Sequence, residues 1–169
     1  MSDMLICVDA LDRQTGTADK ERCHREGLLH RAFSVFLVDG TRFLLQKRAL
    51  HKYHSGGLWA NACCSHPREK ESLPYAVNRR LKEELGIACP CREIGSFVYR
   101  HTFSPTLYEY ELDHVFLGSF QGQVSPDPEE IMEVRWFEKE ELISLLSKQP
   151  DLFASWFITA FPMVLKEME

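Results

Sequence analysis

Apolar positions along this chain follow two periods, and the switches between them mark the elements. Met4 to Val8 is a short apolar run that reads as a strand, followed by a turn-like stretch from Asp9 to Gly16 and a polar lead-in from Thr17 to Arg22. Arg31 to Val38 is rich in β-branched and aromatic residues and reads as a strand. Asp39-Gly40 is a hairpin signal, and Arg42 to Lys47 is the returning strand. Arg48 to Gly57 loses the pattern and ends in Gly56-Gly57, hence a loop, and Leu58 to Cys64 resumes as a short strand. Leu73, Ala76, Val77, Leu81 and Leu85 then fall on one helical stripe, with Ser72 as cap and Gly86 as stop. Ile94 to Tyr99 and Leu107 to Phe120 are strands around a Pro-containing loop, Thr102 to Thr106. After the loop Pro126 to Glu130, Val134 to Phe137 is a strand and Lys139 to Ser147 a helix. Asp151 to Lys166 is a C-terminal helix that Pro162 should kink or shorten. Strands interleaved with helices predict an α/β chain of the α+β kind, a mixed sheet flanked by helices, in one domain spanning residues 1–169.

Composition narrows the partners. A net charge of −5 supplies no basic field for nucleic acid, so none is expected. Basic residues should act locally instead, and Arg48, His51, Lys52 and His54 crowd one loop as if around a small anion. The first ten residues lack a cationic start and a long apolar run, and no segment approaches the roughly 20 apolar residues of a membrane span. The six cysteines (Cys7, Cys23, Cys63, Cys64, Cys89, Cys91) then read as free thiols in a reducing, cytoplasmic setting.

Three features carry chemistry. Along Leu107 to Phe116, alternation puts Glu109, Glu111 and Asp113 on one face of a strand, and Tyr108, Tyr110, Leu112 and Phe116 on the other. Same-face strand positions lie about 7 Å apart, close enough for two carboxylates to share a cation; the same pattern also suits a solvated sheet face. His24, His30 and His66 are separated in sequence, and if they converge with two carboxylates they form a divalent site suited to zinc, manganese or iron. Cys64, near Trp59 and His66, is either a tuned acid or base or a small buried hydrophobe.

Arg79-Arg80-Leu81-Lys82-Glu83-Glu84-Leu85-Gly86-Ile87, with Glu71 and Ser65 upstream, resembles the Nudix box. It departs from that box at Ser65, where Gly is usual, and at Arg80, where the first core Glu is usual. Thr15-Gly16-Thr17 with Lys20, Leu29 to Ser34, Lys47 to Leu50, Leu58 to Asn61, Cys64-Ser65-His66-Pro67, Tyr99-Arg100, Glu109-Tyr110-Glu111 and Trp156 extend the likeness. Together they resemble the type I isopentenyl-diphosphate isomerases, a Nudix-fold family, from about Thr15 to Trp156. The resemblance implies a Nudix-type mixed sheet sandwiched between helices, usually monomeric, that interconverts isopentenyl and dimethylallyl diphosphate. It implies one divalent ion, Mn²⁺ or Zn²⁺, at His24, His30, His66, Glu109 and Glu111. Glu84 would help hold Mg²⁺ brought in with the diphosphate, and Lys20, Arg48, Lys52 and Arg80 would contact that group. Cys64 and Glu111 would be the acid–base pair, with Tyr99 beside Glu111 and Trp156 over the hydrocarbon. Protonation is expected from the Glu111–Tyr99 side and deprotonation by Cys64, the roles exchanging with direction. Two other readings stand beside it: a Nudix diphosphate hydrolase, which Arg80 disfavours, and a non-catalytic metal-binding domain.

Overall fold

The computed structural model describes residues 3–169. Its elements run β1 (Met4–Val8), β2 (Gln14–Asp19), α1 (Lys20–Glu26), β3 (His30–Asp39), β4 (Arg42–Arg48), β5 (Trp59–Asn61) and β6 (Cys63–Ser65). The chain continues through α2 (Leu73–Leu85), β7 (Cys91–Ser104), β8 (Leu107–Ser119), β9 (Ile131–Glu138), α3 (Lys139–Lys148) and α4 (Ser155–Glu167).

β3 is the spine. One edge pairs in parallel with β8 along nearly its whole length, from His30 opposite Glu111 to Val38 opposite Ser119. The other edge meets β1 at His30, β6 at Phe33 to Val35, and β4 at Leu37 to Asp39. β7 and β9 extend the sheet as antiparallel partners of β8 and β4. The sheet is therefore mixed, and both faces are covered. Phe33, Val35 and Leu37 pack with Val77, Leu81 and Leu85 of α2 on one face. Phe36, Phe43 and Val115 pack with Trp156, Phe157, Phe161 and Val164 of α4 on the other. Burial of β3 on both faces explains its continuous apolar run.

α2 occupies the predicted span. The Ser72 hydroxyl accepts from the Tyr75 N–H, and Gly86 closes the helix at φ 67°, a conformation glycine adopts without Cβ strain. Other expectations are revised. The polar stretch 14–19 is a strand, not a turn: it is an edge partner of β1 held by backbone bonds, so it needs no apolar alternation. The sequence pattern does not predict helix α1, because only Cys23 and His24 of its residues are buried, too few to draw an apolar stripe. Leu58 to Cys64 splits at Ala62 into two strands that pair with β4 and β3. β7 extends to Ser104, leaving Pro105-Thr106 as the turn into β8. Pro162 neither ends nor shortens α4, which continues to Glu167.

Leu37 is fully buried against Leu44 and α2. Leu37→Ala should lower unfolding free energy by about 2–5 kcal/mol, read from the urea midpoint at unchanged slope.

Candidate active site

The carboxylates of β8 face inward. Glu109, Glu111 and Asp113 share one face and are at most 5% exposed, which rules out a solvated sheet face. Strand pairing brings imidazoles to them. His30 sits in register with Glu111, its Nε2 3.5 Å from Glu111 Oε1. β6 leads into His66, whose Nε2 lies 3.0 Å from the same oxygen. α1 supplies His24, and the left-handed turn at Gly27 folds the chain back, so the His24 and His30 rings lie 5.4 Å apart.

The back nitrogens are committed. His24 Nδ1 donates to the Lys20 carbonyl at 2.6 Å, and His30 Nδ1 to the Leu28 carbonyl at 2.8 Å. His24, held neutral by burial, therefore bears its lone pair on Nε2, and the Nε2 atoms of both rings are buried without an aligned hydrogen-bond partner. A carbonyl behind the ring and a free lone pair in front is the arrangement a metal ligand needs. One donor atom each from His24, His30, His66 and Glu111 lies within 4.8 Å of the others. Opposite ligands at bond lengths of 2.0–2.1 Å are about 4.2 Å apart, so slight contraction closes the cluster on one ion. Three imidazoles and a carboxylate fit a divalent transition metal.

Glu109 stands in a second donor group that shares His24 with the first. Its donor oxygen groups with His24 and with His54, from the loop 49–58. Spacing could not reveal His54, because nothing local distinguishes it from its loop neighbours.

Burial sets the proton affinities. It pushes the His24 and His66 imidazoles down to about 4 and His54 to about 3, so all three are neutral at pH 7. It also raises Glu109 well above the usual carboxylate range, with Glu111 beside it adding to the effect. Burial alone would raise Glu111 too, but the imidazoles of His30 and His66 lying against it hold it well below. The Cys64 thiol is pushed up to about 12 by burial, against the pull of Arg48, whose Nη1 stands 3.9 Å from the sulfur.

A cavity of about 440 Å³ joins these groups. Its wall includes Cys64, His66, Glu111 and Trp156, and all four cations expected at the diphosphate: Lys20, Arg48, Lys52 and Arg80. Tyr99 lies behind it, its hydroxyl donating to Glu111 Oε2 at 3.5 Å. Trp156 is held by its indole N–H, which donates to Asn61 Oδ1 at 3.1 Å. Glu84 also lines the cavity but stands outside both donor groups; it accepts from the Cys63 thiol at 2.7 Å and pairs with Arg80 at 3.1 Å. Adjacent Cys63 and Cys64 thus serve opposite faces of β6. Glu130, unmarked in the sequence, bridges Lys52 at 2.5 Å and Arg80 at 3.4 Å.

A family model described as NUDIX domain matches residues 28–157. An isopentenyl-diphosphate Delta-isomerase of Burkholderia multivorans is 50% identical over 158 residues, covering 93% of this chain and 90% of that protein. One from Serratia proteamaculans is 44% identical, covering 94% and 89%. This chain belongs to the isopentenyl-diphosphate Delta-isomerase family. Among solved structures, a Deinococcus radiodurans protein superposes with a TM-score of 0.71 at 18% identity, over 87% of this chain and 90% of that one. The MutT protein of Methanosarcina mazei gives 0.68 at 19% identity, over 83% and 96%. At such identities these two speak for the Nudix fold alone. In this isomerase-family chain the box helix is α2. Arg80, at the box's first Glu position, ties down Glu83, Glu84 and Glu130 in place of a further carboxylate for a cation.

Because burial holds Cys64 as a thiol, its alkylation by iodoacetamide in the metal-free chain should rise with pH toward about 12. At pH 8 it should be at least about 10-fold slower than a free thiol of pKa near 8.5. Peptide mass spectrometry across a pH series checks this, and a midpoint near 8.5 would contradict it.

Proposed function

We propose that this chain interconverts isopentenyl and dimethylallyl diphosphate, with Cys64 and Glu111 exchanging protons with the substrate across the cavity. The observation that carries this reading is one cavity holding a protonated thiol, an ionised carboxylate, an aromatic wall and four cationic side chains.

The reaction moves a double bond by adding a proton at the terminal carbon and removing one from C2 of the resulting tertiary cation. An unactivated alkene is a weak base, so donor and acceptor must be fixed in place and water excluded. Cys64 and Glu111 sit on strands that flank β3, and this rigid backbone supports their role on opposite sides of a small substrate. In the free chain the proton resides on Cys64 and the charge on Glu111. The direction that begins from this state uses the thiol as donor and the carboxylate as acceptor; the reverse direction starts with the proton on the Glu111–Tyr99 side. Trp156 already has the Arg48 guanidinium 5.1 Å from its ring centroid. An indole ring also favours a substrate carbocation, an attraction worth up to about 2 kcal/mol when desolvated.

His24, His30, His66, Glu109 and Glu111 would hold one divalent ion, Mn²⁺ or Zn²⁺, which supplies positive charge that tunes the proton affinity of Glu111. Lys20, Arg48, Lys52 and Arg80 would clamp the diphosphate, with Glu84 toward the Mg²⁺ that accompanies it. Arg48 and Arg80 present guanidinium forks suited to phosphate oxygens. Glu130 holds Lys52 and Arg80 before substrate arrives. A monomer in the cytoplasm suits this reading, since every group named comes from one chain.

Incubation with isopentenyl diphosphate in deuterated water tests it. Dimethylallyl diphosphate carrying deuterium in a methyl group is expected, and the product should be lost after chelation and regained with Mn²⁺ or Zn²⁺ plus Mg²⁺. Phosphate release without double-bond migration would instead favour a hydrolase. Cys64→Ala and Glu111→Gln should each lower kcat by about 100-fold or more. Arg48→Ala should chiefly raise KM, separating anion binding from proton transfer.

A further inference from the structure

The loop 49–58 turns one of its two histidines outward and the other inward. The His51 side chain is 60% exposed, whereas that of His54 is 6% exposed. The backbone around His54 is shaped for this. Ser55 adopts φ 56°, uncommon for a residue with a side chain, and Gly57 adopts φ 77°. A Cβ on Gly56 would stand 2.6 Å from the Leu50 carbonyl oxygen, so only glycine fits there. The imidazole of His54 is stacked on Phe103 at 4.5 Å, with the rings inclined by 16°, and meets Trp156 edge-on at 5.9 Å.

This orientation leaves Nε2 aimed at two other donors. Nδ1 lies 3.2 Å from the Ser55 hydroxyl, and Nε2 lies 3.2 Å from Glu109 Oε2. That oxygen is buried and has no aligned hydrogen bond, so the contact is close without being a well-directed pair. Neighbouring ligands on one ion, at bond lengths of 2.0–2.1 Å, stand about 3 Å apart and point at the ion rather than at each other. His24 Nε2, also buried and unpartnered, completes the group, the three donor atoms lying within 4.8 Å of one another. His24 belongs equally to the cluster with His30, His66 and Glu111.

We propose that His54 is an additional ligand of the divalent ion, binding through Nε2 and tethering the loop 49–58 to the metal. The loop carries Lys52 and follows Arg48, so one bond would connect the metal to the diphosphate clamp. Ion binding then holds those cations in place, and removing the ion loosens them. The added imidazole raises the nitrogen content of the site and favours zinc or cobalt over magnesium. This inference rests on the metal reading given under Proposed function.

Cobalt(II) titrated into the metal-stripped chain tests it through the visible absorption of the bound ion. His54→Ala and His54→Gln should each weaken binding by at least about 10-fold and alter the spectrum. His54→Asp, which still offers a ligand atom, should recover part of the affinity, and His51→Ala should match the parent chain. In the unmutated chain with ¹⁵N-labelled histidine, zinc should shift the Nε2 resonance of His54, a readout that needs no variant to fold. Unchanged affinity and spectrum in the folded His54 variants, or an unmoved His54 resonance, would overturn the proposal while leaving the metal reading intact. Unchanged cobalt binding by His30→Ala would overturn both.

Discussion

The parallel pairing of β3 with β8 is the constraint on which the pocket depends. It sets His30 beside Glu111 and Ala32 beside Asp113, while β6 on the opposite edge sets Cys64 beside Ser34. Side chains on a strand alternate faces, so a slip of one residue in either pairing would turn the donors away from the cavity. Both faces of β3 are packed by helices, which makes such a slip costly. Ser34 reinforces the register directly, its hydroxyl donating to Asp113 Oδ2 at 2.8 Å. The precision of the donor cluster is thus inherited from the apolar core.

Burial on that scaffold creates an electrostatic demand. Glu109, Glu111 and Asp113 are withdrawn from water together, and carboxylates sharing a low-dielectric space cannot all stay ionised without compensation. Asp113 resolves this by burial raising its proton affinity, with Ser34 as its hydrogen-bond partner. Glu111 is compensated by His30 and His66. Glu109, with one orphaned oxygen, and the imidazoles of His24 and His30, with orphaned nitrogens, are left to a cation. A divalent ion would satisfy these orphaned atoms together.

Opposite charges meet at the other end of the cavity. Lys52 and Arg80 share Glu130, and Arg80 also pairs with Glu83 and Glu84. A chain of net charge −5 therefore keeps these cavity-lining cations locally balanced until an anion competes for them. The cysteine pair divides the work between these ends: Cys63 anchors Glu84 on the α2 face, and Cys64 faces Arg48 and the aromatic wall. Alternation along a three-residue strand is enough to give adjacent identical residues unrelated surroundings.

The amino-acid sequence by itself determined the elements whose burial writes a period: the β3–β4 hairpin, helix α2 with Ser72 and Gly86 at its ends, and the β8 face carrying Glu109, Glu111 and Asp113. Through its resemblance to the isomerases it also named Cys64, His24, His30, His66 and the four cations that line or adjoin the cavity. Strand β2 and helix α1 left little trace, because an exposed edge strand and a seven-residue helix with two buried positions need no apolar pattern. Only the tertiary structure decided which donors meet. It drew His54 in from an aperiodic loop, set Glu109 with it, and made Glu130 the partner of Lys52 and Arg80. Those contacts join residues far apart in the chain, across 55 positions for His54–Glu109 and 78 for Lys52–Glu130. Local spacing carries no information about such encounters; the pairing of strands and the path of a glycine-bent loop create them.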